Sequence, residues 1–240
     1  MVLRESDGSR RDRSAVDTAG ETGFCLGISR VIPNPELQVE GLVLAAGRSR
    51  RMGTDKAMVA LPDGERLWQR QWRTLGEAGI ERRWLSARED QSWMPAGFPV
   101  VRDAVPDAGP LAGMLAAAAV GDGTHLAVLA VDLPDVPTEW VRGLMARAKP
   151  GAGVVGRWAD GTYEPLAALY PCEWLEQWRA ACGGAVRPPG LQALLREREQ
   201  AGSLTVISLG AEQEGWFRNV NEPQDLCLRM KPPPRRCGPD

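Results

Sequence analysis

At 240 residues the chain is long enough for one α/β domain with a sizeable core, and too short for two such domains with linkers. A formal net charge of -2, with 25% charged and 43% hydrophobic residues, gives no basic field for nucleic acid. The longest apolar runs, such as Leu126 to Val131, are strand-sized and fall far short of the roughly 20 residues of a membrane helix, so neither nucleic acid nor a membrane is expected as a partner.

Residues 1–38 are polar, rich in Arg, Asp and Ser, and without a helical or strand period, which predicts a disordered N-terminal extension. They do not pair a basic start with an apolar run and a cleavage site, and the five cysteines form no Cys-x-x-Cys pair, so a reducing cytoplasmic location is expected, without zinc or a disulfide framework. From residue 39 to 229 short β-like runs alternate with amphipathic ones, beginning with Glu40–Ala45 and a helix near Leu67–Ala78. Further strands are predicted at Arg83–Leu85, Pro99–Arg102, His125–Val131, Gly153–Val155, Leu166–Tyr170 and Leu204–Ser208. Further helices are predicted near Leu111–Ala119, Thr138–Ala148, Glu173–Cys182, Leu191–Glu199 and Pro223–Arg229. This alternation predicts an α/β fold with a mainly parallel sheet and helices on both faces, in which ligands sit beyond the carboxyl ends of the strands. Trp68 and Trp72, and again Trp174 and Trp178, recur four apart and should pack one helix face onto the sheet. Residues 230–240, with three consecutive prolines, continue neither a helix nor a ladder and read as a flexible tail.

The segment from Leu44 to Lys56 follows the first strand and holds Gly47, Gly53, Arg48, Arg50, Arg51 and Lys56. Small residues let backbone N–H groups approach a polyphosphate, and the cations neutralise it. It is not a P-loop, because Gly47 and Gly53 enclose five residues rather than four, and it lacks Gly-x-Gly-x-x-Gly. Lysine occurs only at Lys56, Lys149 and Lys231 in a chain that otherwise uses arginine, so Lys56 reads as a required compact charge on phosphate oxygens.

The pattern Leu-Ala-Ala-Gly-x-Ser-x-Arg-Met-Gly-x-Asp-Lys closely resembles the signature loop of molybdenum cofactor guanylyltransferases, which attach GMP to molybdopterin. Arg102–Met114, Ala130–Pro137, Glu164–Tyr170 and Phe217–Leu226 agree with that family in order and spacing, so the resemblance spans about residues 41 to 228. It implies a three-layer αβα, Rossmann-like nucleotidyltransferase fold acting on GTP and molybdopterin with Mg2+. A protein that delivers or receives the pterin fits the same picture, with the chain as a monomer or weak oligomer. Carried over residue by residue, Leu44, Ala45, Ala46 and Gly47 touch the nucleotide through the backbone and Lys56 neutralises the triphosphate. Asp103 sits in the nucleotide pocket, Asp132 holds Mg2+ beside the phosphates, and Asn219 and Asn221 line the pterin or metal side. The chain departs from the family at Ala46, where a second glycine is usual, and at Ser86, where an asparagine is common.

The residues read physically in the same direction. Asp132 ends an apolar strand, so its carboxylate emerges at the carboxyl edge, with Asp135 as the competing ligand. Mg2+ takes one or two protein carboxylates and completes its shell with water and phosphates. An attacking phosphate is already ionised, so no general base is needed, and Lys56, Mg2+ and Arg51 suffice as charge stabilisers. His125 reads as structural, and Gly109–Gly113 as a turn into a helix start that can present N–H donors. Asn219 and Asn221 alternate along an extended segment, with Asn221 also a candidate helix cap. The alternatives are cytidylyl transfer to the same pterin, a sugar-phosphate nucleotidyltransferase, and a nucleotide-binding module without chemistry.

Overall fold

Seven strands form one sheet in a computed structural model that describes residues 36–47, 55–102, 109–182, 190–221 and 225. The expectations for the extension through residue 35, Arg51, Asp103, the tail at 230–240 and most of the helix near 223–229 lie outside the described residues.

The central strands are β1 (Val39–Leu44) and β4 (His125–Ala130), parallel and paired from Val39 opposite His125 to Leu44 opposite Ala130. Every residue of β4 is buried, which is why it reads as a continuous apolar run: helices cover both faces of the sheet. Beside β1 lies β2 (Arg83–Ala87) and then β3 (Val100–Arg102), both parallel. On the other side β4 pairs with β6 (Ala167–Pro171), followed by β5 (Gly153–Arg157) and β7 (Leu204–Ser208), giving the order β3-β2-β1-β4-β6-β5-β7.

Alternate residues of the strands feed two separate cores, the expected consequence of the two-residue period. Val43, Leu85, Ala127 and Leu129 pack beneath α1 (Leu67–Glu77) and α3 (Thr138–Ala146). Leu42, Leu44, Leu126 and Val128 pack beneath α2 (Pro110–Val120), α4 (Cys172–Cys182) and α5 (Leu191–Gln200). The result is the expected three-layer αβα arrangement. Both tryptophan pairs pack as expected: Trp68 and Trp72 each meet Phe98 edge-on at 5.1 and 5.0 Å, and Trp174 and Trp178 lie 6.1 Å apart.

The one antiparallel strand, β6, has a local cause. The chain between β5 and β6 turns at Asp160-Gly161, with Gly161 at φ +86, and Trp158 and Thr162 close the turn. That connection is too short for the crossover of roughly a dozen residues that a parallel pair needs. β6 therefore runs back along β4, and the start of the strand, not its end, comes to the edge where β1 and β4 finish.

The chain leaves β1 toward β2 and β3 on one side and places β4 on the other, so the strand order reverses between β1 and β4. A crevice opens at such a reversal, beyond the carboxyl ends of the two strands. Leu44 and Ala130 end those strands, and the segments that follow carry Lys56 and Asp132.

Candidate active site

After Leu44 the backbone emerges gradually: Ala45 is buried, Ala46 half-buried and Gly47 exposed. The N–H of Ala45 donates to Ser86 Oγ at 3.3 Å, from the residue that faces Leu44 across β2. Gly113 of α2 lies so close that a Cβ there would stand 2.9 Å from Leu44 Cδ2 and Ser86 Oγ. A glycine is needed at this position for α2 to press against the strand ends. Gly109, at φ +61, turns the chain into α2 just ahead of Pro110, where the proline's missing N–H costs the helix nothing.

Lys56 opens a short 3₁₀ turn, Lys56–Met58, whose first N–H groups need a partner. Asp55 supplies it, its Oδ1 accepting from Ala57 N at 3.1 Å. The turn aims Lys56 across the edge: Nζ donates to Asn221 Oδ1 at 2.9 Å and lies 3.4 Å from Asp132 Oδ2. Residues 76 and 165 positions away along the chain thus meet at one amine.

Asp132 is held from both sides by backbone. The N–H of Val131 donates to Leu44 O at 3.2 Å, and Val220 N donates to Asp132 O at 2.8 Å. This second bond ties residues 219–221 to the metal-ligand candidate, with Val220 fully buried between exposed Asn219 and Asn221. Phe217 anchors the same segment by packing edge-on against Trp140 and Trp158, at 5.2 and 5.8 Å. Asn221 N donates to Asp225 Oδ2 at 2.7 Å, while its side chain serves Lys56.

Leu44, Ala45, Ala46, Gly47, Lys56, Asp132 and Asn221 therefore share one edge of the sheet, with Asn219 beside them. Asp135 is exposed, whereas Asp132 keeps 24% of its side-chain surface open and the Lys56 side chain 14%. His125 is buried at the opposite, amino edge of β4, its ring bonded to Thr124 Oγ1 and to the carbonyls of Lys149 and Ala152. Burial holds its pKa below the usual range, as a structural role requires.

Three residues that the sequence reading gave no role belong to this edge. Glu164, at the start of the path into β6, accepts from Trp158 Nε1; burial, aided by the nearby charge of Asp132, pushes its carboxyl up against that hydrogen bond. Arg88 and Gln91 follow β2 and reach back to the chain just after β1. Their position just after a strand was the available signal.

No group of three or more His, Cys, Asp or Glu residues that could hold a metal occurs among the described residues. Asp132 and Asn221 offer a carboxylate and an amide oxygen, a sparse all-oxygen set. Such a set fits Mg2+, which keeps waters and substrate phosphates in its shell, and fits zinc poorly.

The MobA-like NTP transferase domain model matches residues 41–202, the greater part of the chain, from within β1 to just past the end of α5. This chain belongs to the MobA-like NTP transferase family. It is a nucleotidyltransferase. A "Probable molybdenum cofactor guanylyltransferase" of Opitutus terrae is 40% identical over 190 residues, covering 77% of this chain and 91% of the relative. A "Molybdenum cofactor guanylyltransferase" of Cereibacter sphaeroides is 36% identical over 201 residues, covering 79% and 94%. The crystal structure of the Archaeoglobus fulgidus molybdopterin-guanine dinucleotide biosynthesis protein A shares the fold, with a TM-score of 0.58 at 21% identity over 80% of this chain and 100% of that one. The family match takes in Lys56 and Asp132 and ends before Asn221.

Proposed function

We propose that the chain transfers GMP from GTP to molybdopterin in an Mg2+-dependent reaction that releases pyrophosphate. The terminal phosphate oxygen of the pterin forms a bond to the α-phosphorus of GTP, and the bond from that phosphorus to the bridging oxygen of pyrophosphate breaks. The observation that carries this reading is the convergence of Lys56, Asp132 and Asn221 at the strand-order reversal, directly beside the loop that begins at Leu44. The names of the relatives support guanine and molybdopterin as the two halves of the product.

In this reading Asp132 and Asn221 hold the metal, which supplies charge neutralisation at the phosphates when bound. Lys56, already poised between the two, places its ammonium on the triphosphate, where negative charge grows on the leaving pyrophosphate. By the family resemblance, Arg51 would add a second cation and Asp103 would contribute to the nucleotide pocket. Asn219, next to the segment anchored on Asp132, lines the pterin side. No residue has to remove a proton, because the attacking phosphate is ionised at neutral pH, and the single histidine lies at the far edge of β4.

Cytidylyl transfer to the same pterin is the second reading, because Ala46, where the family usually has a second glycine, does not discriminate between the two bases. Titration of the protein with GTP and with CTP, each with Mg2+, followed by transfer assays with molybdopterin, tests both. Preferential binding and consumption of GTP is the expected result. CTP consumption in its place would reassign the base.

A further inference from the structure

The chain after β2 returns to the nucleotide loop through two side chains that the reading above does not use. Arg88 Nη1 donates to the carbonyls of Ala46 and Gly47, at 2.7 and 2.8 Å. Gln91 Nε2 donates to the carbonyl of Ala45 at 2.9 Å and to Asp55 Oδ2 at 2.7 Å. Arg88 Nη2 lies 3.9 Å from that same Asp55 oxygen, and its Nε bonds Asp90 at 2.9 Å. The two are coupled, since the N–H of Arg88 donates to Gln91 Oε1 at 2.7 Å, and Arg102 secures the carbonyl of Arg88. Gln91 is buried to 4% exposure, with both the oxygen and the nitrogen of its amide in use.

Three consecutive carbonyls are thereby turned toward one short stretch of chain. In a trans peptide the C=O of one residue and the N–H of the next point in opposite directions. The N–H groups of Ala46 and Gly47 therefore face away from Arg88 and Gln91, and neither donates a hydrogen bond to the protein among the described residues. Successive free N–H groups that face one way form an anion-binding concavity. The same pair of side chains holds Asp55, which caps the turn that carries Lys56. One clamp thus fixes both described flanks of the loop.

We propose that Arg88, seated by Gln91, is a positioning residue for the nucleotide. It sets the peptide planes from Ala45 to Gly47 for a triphosphate, and through Asp55 it registers Lys56 with them. This rests on the nucleotide-binding reading of the same edge. The fork is specific to arginine: two carbonyls and a carboxylate lie around one planar guanidinium, and a lysine ammonium reaches only part of that set.

The test uses the full chain and its Arg88→Ala and Arg88→Lys variants, with inorganic tripolyphosphate and GTP as separate probes in the presence of Mg2+. Calorimetry should show that Arg88→Ala weakens both ligands by about tenfold or more and Arg88→Lys by a smaller but measurable factor, the loss expected for charge-assisted hydrogen bonds that preorganise a site. KM for GTP should rise more than kcat falls, and exchange of the hydrogen-bonded amide of Ala45 should speed up while exchange in β4 stays unchanged. Wild-type affinity for tripolyphosphate in both variants overturns the clamp. If Arg88→Ala does not fold, Arg88→Lys decides alone, and unchanged affinity there overturns it equally. Failure of the guanylyl reading shows differently: the wild type then takes up tripolyphosphate but not GTP, and the clamp is still judged on the tripolyphosphate arm. A wild type that takes up neither overturns both.

Discussion

Lys56 stands 3.4 Å from one oxygen of Asp132 and 2.9 Å from the amide oxygen of Asn221, and the three sides of this contact carry different weights. A partly open ion pair contributes at most about 1 kcal/mol to stability, so Lys56→Ala should barely move the unfolding midpoint. Its effect on turnover should be far larger, on the order of 10² to 10³, as for loss of one charge stabiliser in a reaction with no other proton or nucleophile chemistry. Asp132→Ala should cost a similar factor and should also raise the Mg2+ concentration needed for half-maximal rate, which Lys56→Ala should not. Asn221→Ala removes one hydrogen bond to a charged group, about 1.5 to 3 kcal/mol, and should slow turnover by about ten- to a hundredfold. Steady-state rates across an Mg2+ titration, with thermal melts alongside, check all three. Normal turnover by Lys56→Ala and Asp132→Ala would remove the site.

Among the elements, α1 shows how its start is fastened to the turn that precedes it. Glu65 accepts from Arg73 at 2.9 and 3.0 Å and from Arg70, and Arg73 also pairs with Glu77 one turn on. The hydrogen bonds from Arg73 are the main reason the Glu65 carboxyl falls from 4.5 to about 2, with Arg70 adding to the shift and burial opposing it. A depressed folded pKa means that the unfolded chain binds the proton more readily. The contribution is therefore complete above pH 4.5, shrinks as pH falls, and is gone near pH 2. Glu65→Gln should cost about 1 kcal/mol at pH 7, the upper end for a surface network. Urea unfolding of both proteins at pH 7 and pH 3 measures it. The gap between them should narrow at pH 3, and an equal gap at both values would assign the cost to packing.

At the scale of the whole molecule, every predicted strand between residues 39 and 208 exists, the central ones as apolar runs buried on both faces and the edge strands β3 and β7 as partly buried runs of β-branched residues. The direction of β6 was not legible in its own residues, since it follows from the turn at Asp160-Gly161. Asp132 was legible because a carboxylate just after a buried strand comes to the sheet edge, and Lys56 because a lysine stands in a loop that otherwise uses arginine. Arg88 and Gln91 shared the position after a strand, but side chains that bond backbone carbonyls far along the chain impose no spacing on the sequence that tells which loop they serve.

The same topology separates chemistry from stability. Asp132 follows β4 at the carboxyl edge, while His125 opens the strand at the amino edge, buried at 1% exposure among two carbonyls and a threonine hydroxyl. Burial lowers the folded pKa of His125 from 6.5, its backbone acceptors opposing, so the imidazole stays neutral in the fold and gains its proton on unfolding. Its contribution is present above pH 6.5 and is lost as pH falls below that value, at a slope of at most about 1.4 kcal/mol per pH unit. Glu164 has the opposite sign: burial raises its folded pKa, so it favours the fold as pH falls. Because the chain has one histidine, a stability loss between pH 7 and 5.5 that disappears in His125→Gln belongs to this residue. Calorimetric unfolding at closely spaced pH values should show that difference, while tripolyphosphate affinity at pH 7 stays that of the wild type. A variant with unaltered acid sensitivity would mean that the imidazole titrates alike in the folded and unfolded chain, contrary to its burial between β4 and the carbonyls of Lys149 and Ala152.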